Sequence, residues 1–254
     1  MYLPPAFALE DNAQIAALVR SAGAADLVTV DERHGLQATL LPVLWEQGPD
    51  GAPGRLLGHL ARANPQFGAA GRDSGNLSGN HSGNDAGTHS GTHSGTSSGT
   101  DSRALAIVHG PQAYVSPVWY PSKAEHGRAV PTWNYLSVHF TGRLIWHDDP
   151  HWLLDLVTRL TAVHEQAVHQ QADHQQARTE PWTPDDAPEV FISGQLRAIV
   201  GVELIIDRVE AKAKWSQNRG EADRTAVVAQ IGDPMVDLFA ATELLPNARF
   251  EGDA

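Results

Sequence analysis

The 254-residue chain contains no cysteine, so disulfides, thiolate catalysis and cysteine-held zinc or iron–sulfur sites are all excluded. That absence accords with a cytoplasmic setting. Basic residues are scarce as well: 18 Lys+Arg stand against 30 Asp+Glu, a formal net charge of −12. Generic affinity for nucleic-acid phosphates is therefore not expected unless the basic residues gather on one face. No segment approaches the roughly 20 apolar residues that span a bilayer, and Met1-Tyr2-Leu3-Pro4-Pro5 lacks the basic start and apolar run of a signal peptide. The expectation is a protein neither exported nor membrane-embedded. A glycine-rich dinucleotide fingerprint, a phosphate loop, a nucleophile elbow and a zinc-protease helix are all missing, which removes most large enzyme classes.

What is present is a β-rich pattern interrupted by one low-complexity stretch. A first helix is predicted from Glu10-Asp11, burying Ile15, Leu18, Val19 and Ala22 at helical spacing and stopping at Gly23. Short β-type runs follow at Leu27–Val30, Gln37–Trp45 and Leu56–Leu60, separated by turn-rich segments. Residues 74–101 then repeat Ser-Gly-Asn/Thr-x, with almost no apolar side chain to offset the ordering entropy of the backbone. Residues 69–103 are accordingly expected to be a disordered insertion, and its histidines are assigned no site. The β pattern resumes at Ala104–Val108, Ala113–Ser116 and Trp133–Phe140. Asp148-Asp149-Pro150 opens a surface helix with Leu153, Leu156, Val157, Leu160 and Val163 as its apolar stripe. Its His164, His169 and His174 are five residues apart, which scatters them around the helix and disfavours a metal site. Another helical stretch is expected after Trp182–Asp186, then a long β run from Ile199, and helices from Glu221 and Pro234. Strands on both sides of the helical block predict an α+β fold: one mainly antiparallel β-barrel with peripheral helices, its last strand drawn from the C-terminal third, as a single domain over residues 1–249.

Three polar segments exceed what a barrel core needs. Gly58–Pro65 brings His59, Arg62 and Asn64 together at a strand end, where a guanidinium and backbone amides can grip a phosphate monoester; a solvated arginine in a turn is the alternative. Ser116–Lys123 and Val130–Tyr135 are dense in Trp and Tyr, which suits either a flat heteroaromatic ligand or a dimer interface. In Lys212–Arg219, alternation places Lys212, Lys214 and Ser216 on one side of an extended strand and Trp215 and Gln217 on the other. A ligand role and a solvated strand end stay equally open there.

At these residues the chain resembles the PaiB family, the FMN-binding negative transcriptional regulators built on the split barrel of the pyridoxamine-phosphate oxidase type. The resemblance runs through Met1-Tyr2-Leu3-Pro4, Ala38-Thr39-Leu40-Leu41-Pro42, Gly58–Pro65, Gly110–Tyr120, Val130–Tyr135 and Ser216-Gln217-Asn218-Arg219, in that order. Leu40 stands where the family motif would have histidine. The resemblance implies a homodimer with FMN at the subunit boundary. It places the phosphate near His59, Ala61, Arg62 and Asn64, with Thr39 close by, and the ring near Thr132, Trp133 and Asn134 and near Lys214, Gln217 and Asn218. It implies negative transcriptional regulation, through DNA or through a regulatory protein partner. A flavin-dependent oxidoreductase is the alternative by fold analogy, although no residue stands out as a catalytic acid or base, and a haem-binding relative is the third reading.

Overall fold

The computed structural model describes residues 1–31, 34–67, 103–171 and 180–234. Helix α1 (Asn12–Ala22) starts where the carboxylate of Asp11 accepts from the amides of Ala13 and Gln14, and it ends at Gly23, whose φ of 66° is the left-handed conformation glycine adopts without strain. Ile15, Leu18 and Val19 are buried on one side, as the spacing predicts. Asp11→Ala removes both cap bonds and is expected to cost about 1 kcal/mol, read as a lower thermal midpoint.

Six strands close into one antiparallel barrel in the order β1-β2-β3-β6-β5-β4. They are β1 (Ala24–Asp31), β2 (Gly35–Glu46), β3 (Arg55–Ala61), β4 (Arg103–Val115), β5 (Thr132–His147) and β6 (Ile199–Lys214). The last strand comes from the C-terminal third, as expected, and pairs with β3 on one side and β5 on the other. Inward residues such as Leu27, Leu41, Val43, Leu56, Ala106, Val138, Phe140, Val202 and Leu204 form one filled core.

Three sequence expectations change. The runs at Ala104 and Ala113 are a single strand, because a register shift between His109 and Gln112 carries β4 through Gly110-Pro111 without breaking it. β5 runs on to His147 through a second shift opposite Arg208 and Ile206. Arg103, counted with the repeat on composition, is the first residue of β4. The repeat itself, the His174 region and the helix expected from Pro234 lie outside the described residues.

The helices decide which barrel surface stays bare. Helix α3 (Pro150–Gln171) lays Leu156 and Leu160 on Leu57, with Leu44 and Trp152 around them. Trp152 stacks on His147 at 4.0 Å and presses on Gly201, where an added Cβ would stand 2.1 Å from the ring. Beneath α3 lies Glu203, only 6% exposed, which accepts from Arg55 at 3.0 Å and meets His147 Nε2 at 2.6 Å. The His147 hydrogen bond, reinforced by Arg55, holds the Glu203 carboxyl below the usual range against the opposing effect of burial. A depressed folded-state value means stability that is present above the ordinary carboxylate range and is lost as pH falls through it. Glu203→Gln should therefore lose stability at pH 7 and show a shallower acid-side decline below about pH 4.3, measured by urea unfolding across pH. Helix α2 (Pro121–His126), α4 (Glu189–Arg197) and α5 (Glu221–Ile231) complete the periphery, with α5 held to α2 by the Asp223 carboxylate accepting from the amide and hydroxyl of Ser122. No helix among the described residues is long and apolar enough to cross a membrane.

Candidate functional site

Among the described residues, the outward side of β1 and β2 away from α3 carries exposed apolar side chains, whereas the N-terminal segment crosses β6 at Ala211 and Lys212. Register places Val30 opposite Leu36 and Leu40 opposite Asp26, so these side chains share the outer face. Val30 and Leu40 are each 67% exposed and Leu36 is 79% exposed. Across the sheet the same face carries Ile107, His109, Tyr135, Ser137 and His139, and on β6 Glu210, Lys212 and Lys214.

The candidate residues on this face converge at the end of β5 and β6. Lys214 lies opposite Tyr135 and donates to Thr132 Oγ1 at 2.5 Å and to the Trp133 carbonyl at 2.7 Å. Partial burial, with the charges of Lys212 and Arg219 adding to it, pulls the Lys214 ammonium below its ordinary value. The Trp133 ring is 54% exposed and meets Tyr114 edge-on at 6.2 Å. Behind it Asn134 is fully buried and donates to Ser216 Oγ at 3.0 Å. Ser216 has a φ of 62°, a conformation that costs a non-glycine residue of order 1 kcal/mol or more and that ends the strand. This left-handed step overturns the alternation expected for Lys212–Gln217. Ser216 turns inward to Asn134, and Gln217 folds back, its Oε1 accepting from the Trp215 amide at 2.6 Å and its Nε2 donating to the Ala213 carbonyl. Asn218 follows in the turn after Ser216.

The other half of the expected site is elsewhere. His59 pairs with Gly201, at the opposite end of β6 from Lys214. The 13 intervening residue steps are roughly 43 Å of extended chain at about 3.3 Å each. Arg62 is also committed already: its Nε donates to the Arg197 carbonyl at 2.9 Å and its NH2 to the Ile199 carbonyl at 2.9 Å and to Asp148. The phosphate role expected of Arg62 thus meets a guanidinium already bonded to two carbonyls and a carboxylate. Ala61 ends β3. Asn64 donates to Thr39 Oγ1 at 2.9 Å and accepts from the Gln66 amide at 2.9 Å, while Gln66, 2% exposed, donates to the Leu27 carbonyl and Thr29 Oγ1 and keeps an unpartnered Oε1. Among the described residues His59 Nδ1 likewise has no partner, and burial pushes the imidazole below its ordinary value.

The aromatic segment Trp119–Tyr135 divides in the same way. Tyr120 is 3% exposed and packs with Val115, Val227 and Trp119 inside the protomer, with Arg219 over its ring at 4.7 Å. Trp133 and the neighbouring Tyr114 are about half exposed. Lys212, left open between a ligand role and a solvated strand end, and Tyr2 join this surface: the Lys212 ammonium sits 5.6 Å from the Tyr2 ring and 5.2 Å from that of Tyr135. Their convergence depends on the N-terminal segment returning to β6, where Ala8 bridges to Lys212, a pairing across the whole chain that no local pattern announces.

The family model described as "Putative FMN-binding domain" matches residues 1–208. The protease synthase and sporulation protein PAI 2 of Bacillus subtilis is 25% identical over 231 residues, 91% of this chain and 89% of that protein. An uncharacterized protein of Emericella nidulans, AN0679, is 30% identical over 184 residues, 69% of this chain. The chain covers 65% of the length of that fungal relative. Among solved structures, the conserved hypothetical protein Rv2991 of Mycobacterium tuberculosis superposes with a TM-score of 0.49 at 11% identity, covering 87% of this chain and 95% of that one. The match over residues 1–208 takes in β1 to β5 and much of β6, and with the relative from Bacillus it shows that the chain belongs to the PaiB-type family of FMN-binding domains, which makes FMN its cofactor.

Proposed function

We propose that the protein is a homodimeric, FMN-binding negative regulator of transcription whose flavin ring lies at the Thr132–Asn134 and Lys214–Asn218 end of the barrel. The observation that carries this is the half-exposed Trp133 ring, held at the sheet end by the Lys214 ammonium on its own carbonyl. A flat, electron-poor ring system stacks on such a surface, and the cation beside it suits an electron-rich ring edge. The residues present thus fit a flavin: an exposed aromatic face, a fixed ammonium, and further lysine charge on the same strand. When bound, the flavin supplies redox chemistry, and this chain's residues hold and orient it.

Dimerisation is proposed through the bare outer face, where Val30, Leu36 and Leu40 form the apolar part. A dimer also gives the distant His59–Asn64 segment a way to contribute, because the partner's copy is then free to approach the ring end. Thr39 and Ala61 belong to that second contribution. Regulation through a protein partner accords with the net charge of −12, and direct repression requires DNA binding at low salt.

The visible spectrum of freshly purified protein tests the cofactor: flavin maxima are expected, and failure to bind added FMN would sink the reading. A gel shift with FMN-loaded protein and promoter DNA at low salt tests direct repression, and no shift leaves only regulation through a protein. Arg62→Ala is expected to change FMN affinity by less than about threefold, since that guanidinium is already bonded within the protomer. A loss of tenfold or more by fluorescence quenching would return the phosphate to Arg62.

A further inference from the structure

Among the described residues Lys212 is the only buried cation, at 7% exposure. Its ammonium has three donors and one acceptor, the Tyr2 carbonyl at 3.1 Å. Among the described residues no carboxylate serves it. Glu210, two residues earlier on the same face, is engaged by the Met1 ammonium at 2.8 Å and by Arg208 at 3.5 Å. The rings of Tyr2 and Tyr135 line the charge without neutralising it. A buried ammonium that lacks an anion is costly, and proteins retain one where an anionic ligand completes it.

We infer that Lys212 is the anchor for the phosphate of bound FMN. This rests on FMN being the cofactor. Lys212 lies two residues from Lys214, roughly 6.6 Å along the strand, on the same outer face and close to the proposed ring position. Of the other cations nearby, Lys214 also lacks a carboxylate but is only partly buried and bonds Thr132 and Trp133, Arg219 lies over the Tyr120 ring, and Arg208 meets Glu210. A phosphate carrying about −1.5 to −2 charges supplies the missing counter-charge and acceptors for the two unused donors. Tyr2 acts as the cover. Tyr2 is 84% exposed on a segment fixed at Met1 by Glu210 and at Leu9 by the Ala211 carbonyl, so its side chain has room to turn while both anchors hold.

The test titrates the full chain, Lys212→Met and Lys212→Arg with FMN and with riboflavin, following flavin fluorescence, and repeats riboflavin with added inorganic phosphate at constant ionic strength. Lys212→Met should weaken FMN roughly ten- to hundredfold and riboflavin by less than about twofold, Lys212→Arg should keep most of the preference for FMN, and inorganic phosphate should bind beside riboflavin in the wild type only. Without flavin, Lys212→Met should melt at or above the wild type, because an unpaired buried charge has been replaced by an apolar chain of similar length. Equal losses for both flavins, or an unchanged FMN affinity, overturn the assignment. So does a lower melting temperature with the FMN preference intact, which marks a structural latch on Tyr2. Wild-type protein that binds neither flavin overturns the cofactor itself, and a wild type that prefers FMN irrespective of Lys212 overturns the anchor alone.

Discussion

Phe140→Ala is expected to lower the unfolding free energy by about 3–5 kcal/mol, read as a smaller urea midpoint at an unchanged slope. Phe140 is fully buried on β5, opposite Ala106 of β4 and Val209 of β6, and its ring meets Trp45 from β2 at 5.1 Å. One side chain thus ties four strands across the closed barrel. Its neighbours cannot collapse into the space left by the ring, because the backbone around them is fixed by cross-strand hydrogen bonds on both sides. A domain of ordinary stability has about 5–15 kcal/mol in hand, so the variant should be marginal and its flavin should dissociate at lower temperature. Tyr114→Ala, at a half-exposed position, should cost far less. A similar loss for both would mean that the barrel interior does not carry the stability assigned to it.

Leu40→Glu is expected to weaken the proposed dimer by about 2–5 kcal/mol, at least thirtyfold in its dissociation constant, while leaving the isolated protomer as stable as before. Leu40 is 67% exposed in the protomer, so a carboxylate there stays in water until a second copy covers it. On association it becomes an unpaired buried charge, and the carboxylate of Asp26 directly opposite on β1 adds repulsion. Val190→Glu on α4, at 83% exposure and away from the bare face, is the control and should leave the mass unchanged. Sedimentation at micromolar concentration reads both. A monomeric wild type, or a dimer indifferent to Leu40→Glu, would move the interface off this face.

Features with a local cause were legible in the amino-acid order. Alternation located all the strand cores, and Asp11, Gly23 and Pro150 marked helix ends because capping and left-handed φ depend on a few adjacent residues. Strands on both sides of the helical block sufficed for an α+β barrel closed by a C-terminal strand. Motif order sufficed for the family, since residues 1–208 match its model. What the tertiary structure decided is how those segments meet. His59 and Lys214 each read as ligand residues, but only the register of β6 shows them at opposite ends of one strand. Arg62 read as a free guanidinium until Asp148 and the carbonyls of Arg197 and Ile199, more than eighty residues away, closed around it. Alternation failed at Ser216 because a left-handed residue breaks the extended chain there, and the partner its hydroxyl meets, Asn134, lies on another strand. Lys212 is the clearest case: two lysines on one face look alike in sequence, and burial under the N-terminal segment, a relation between the first residues and the last strand, is what separates them.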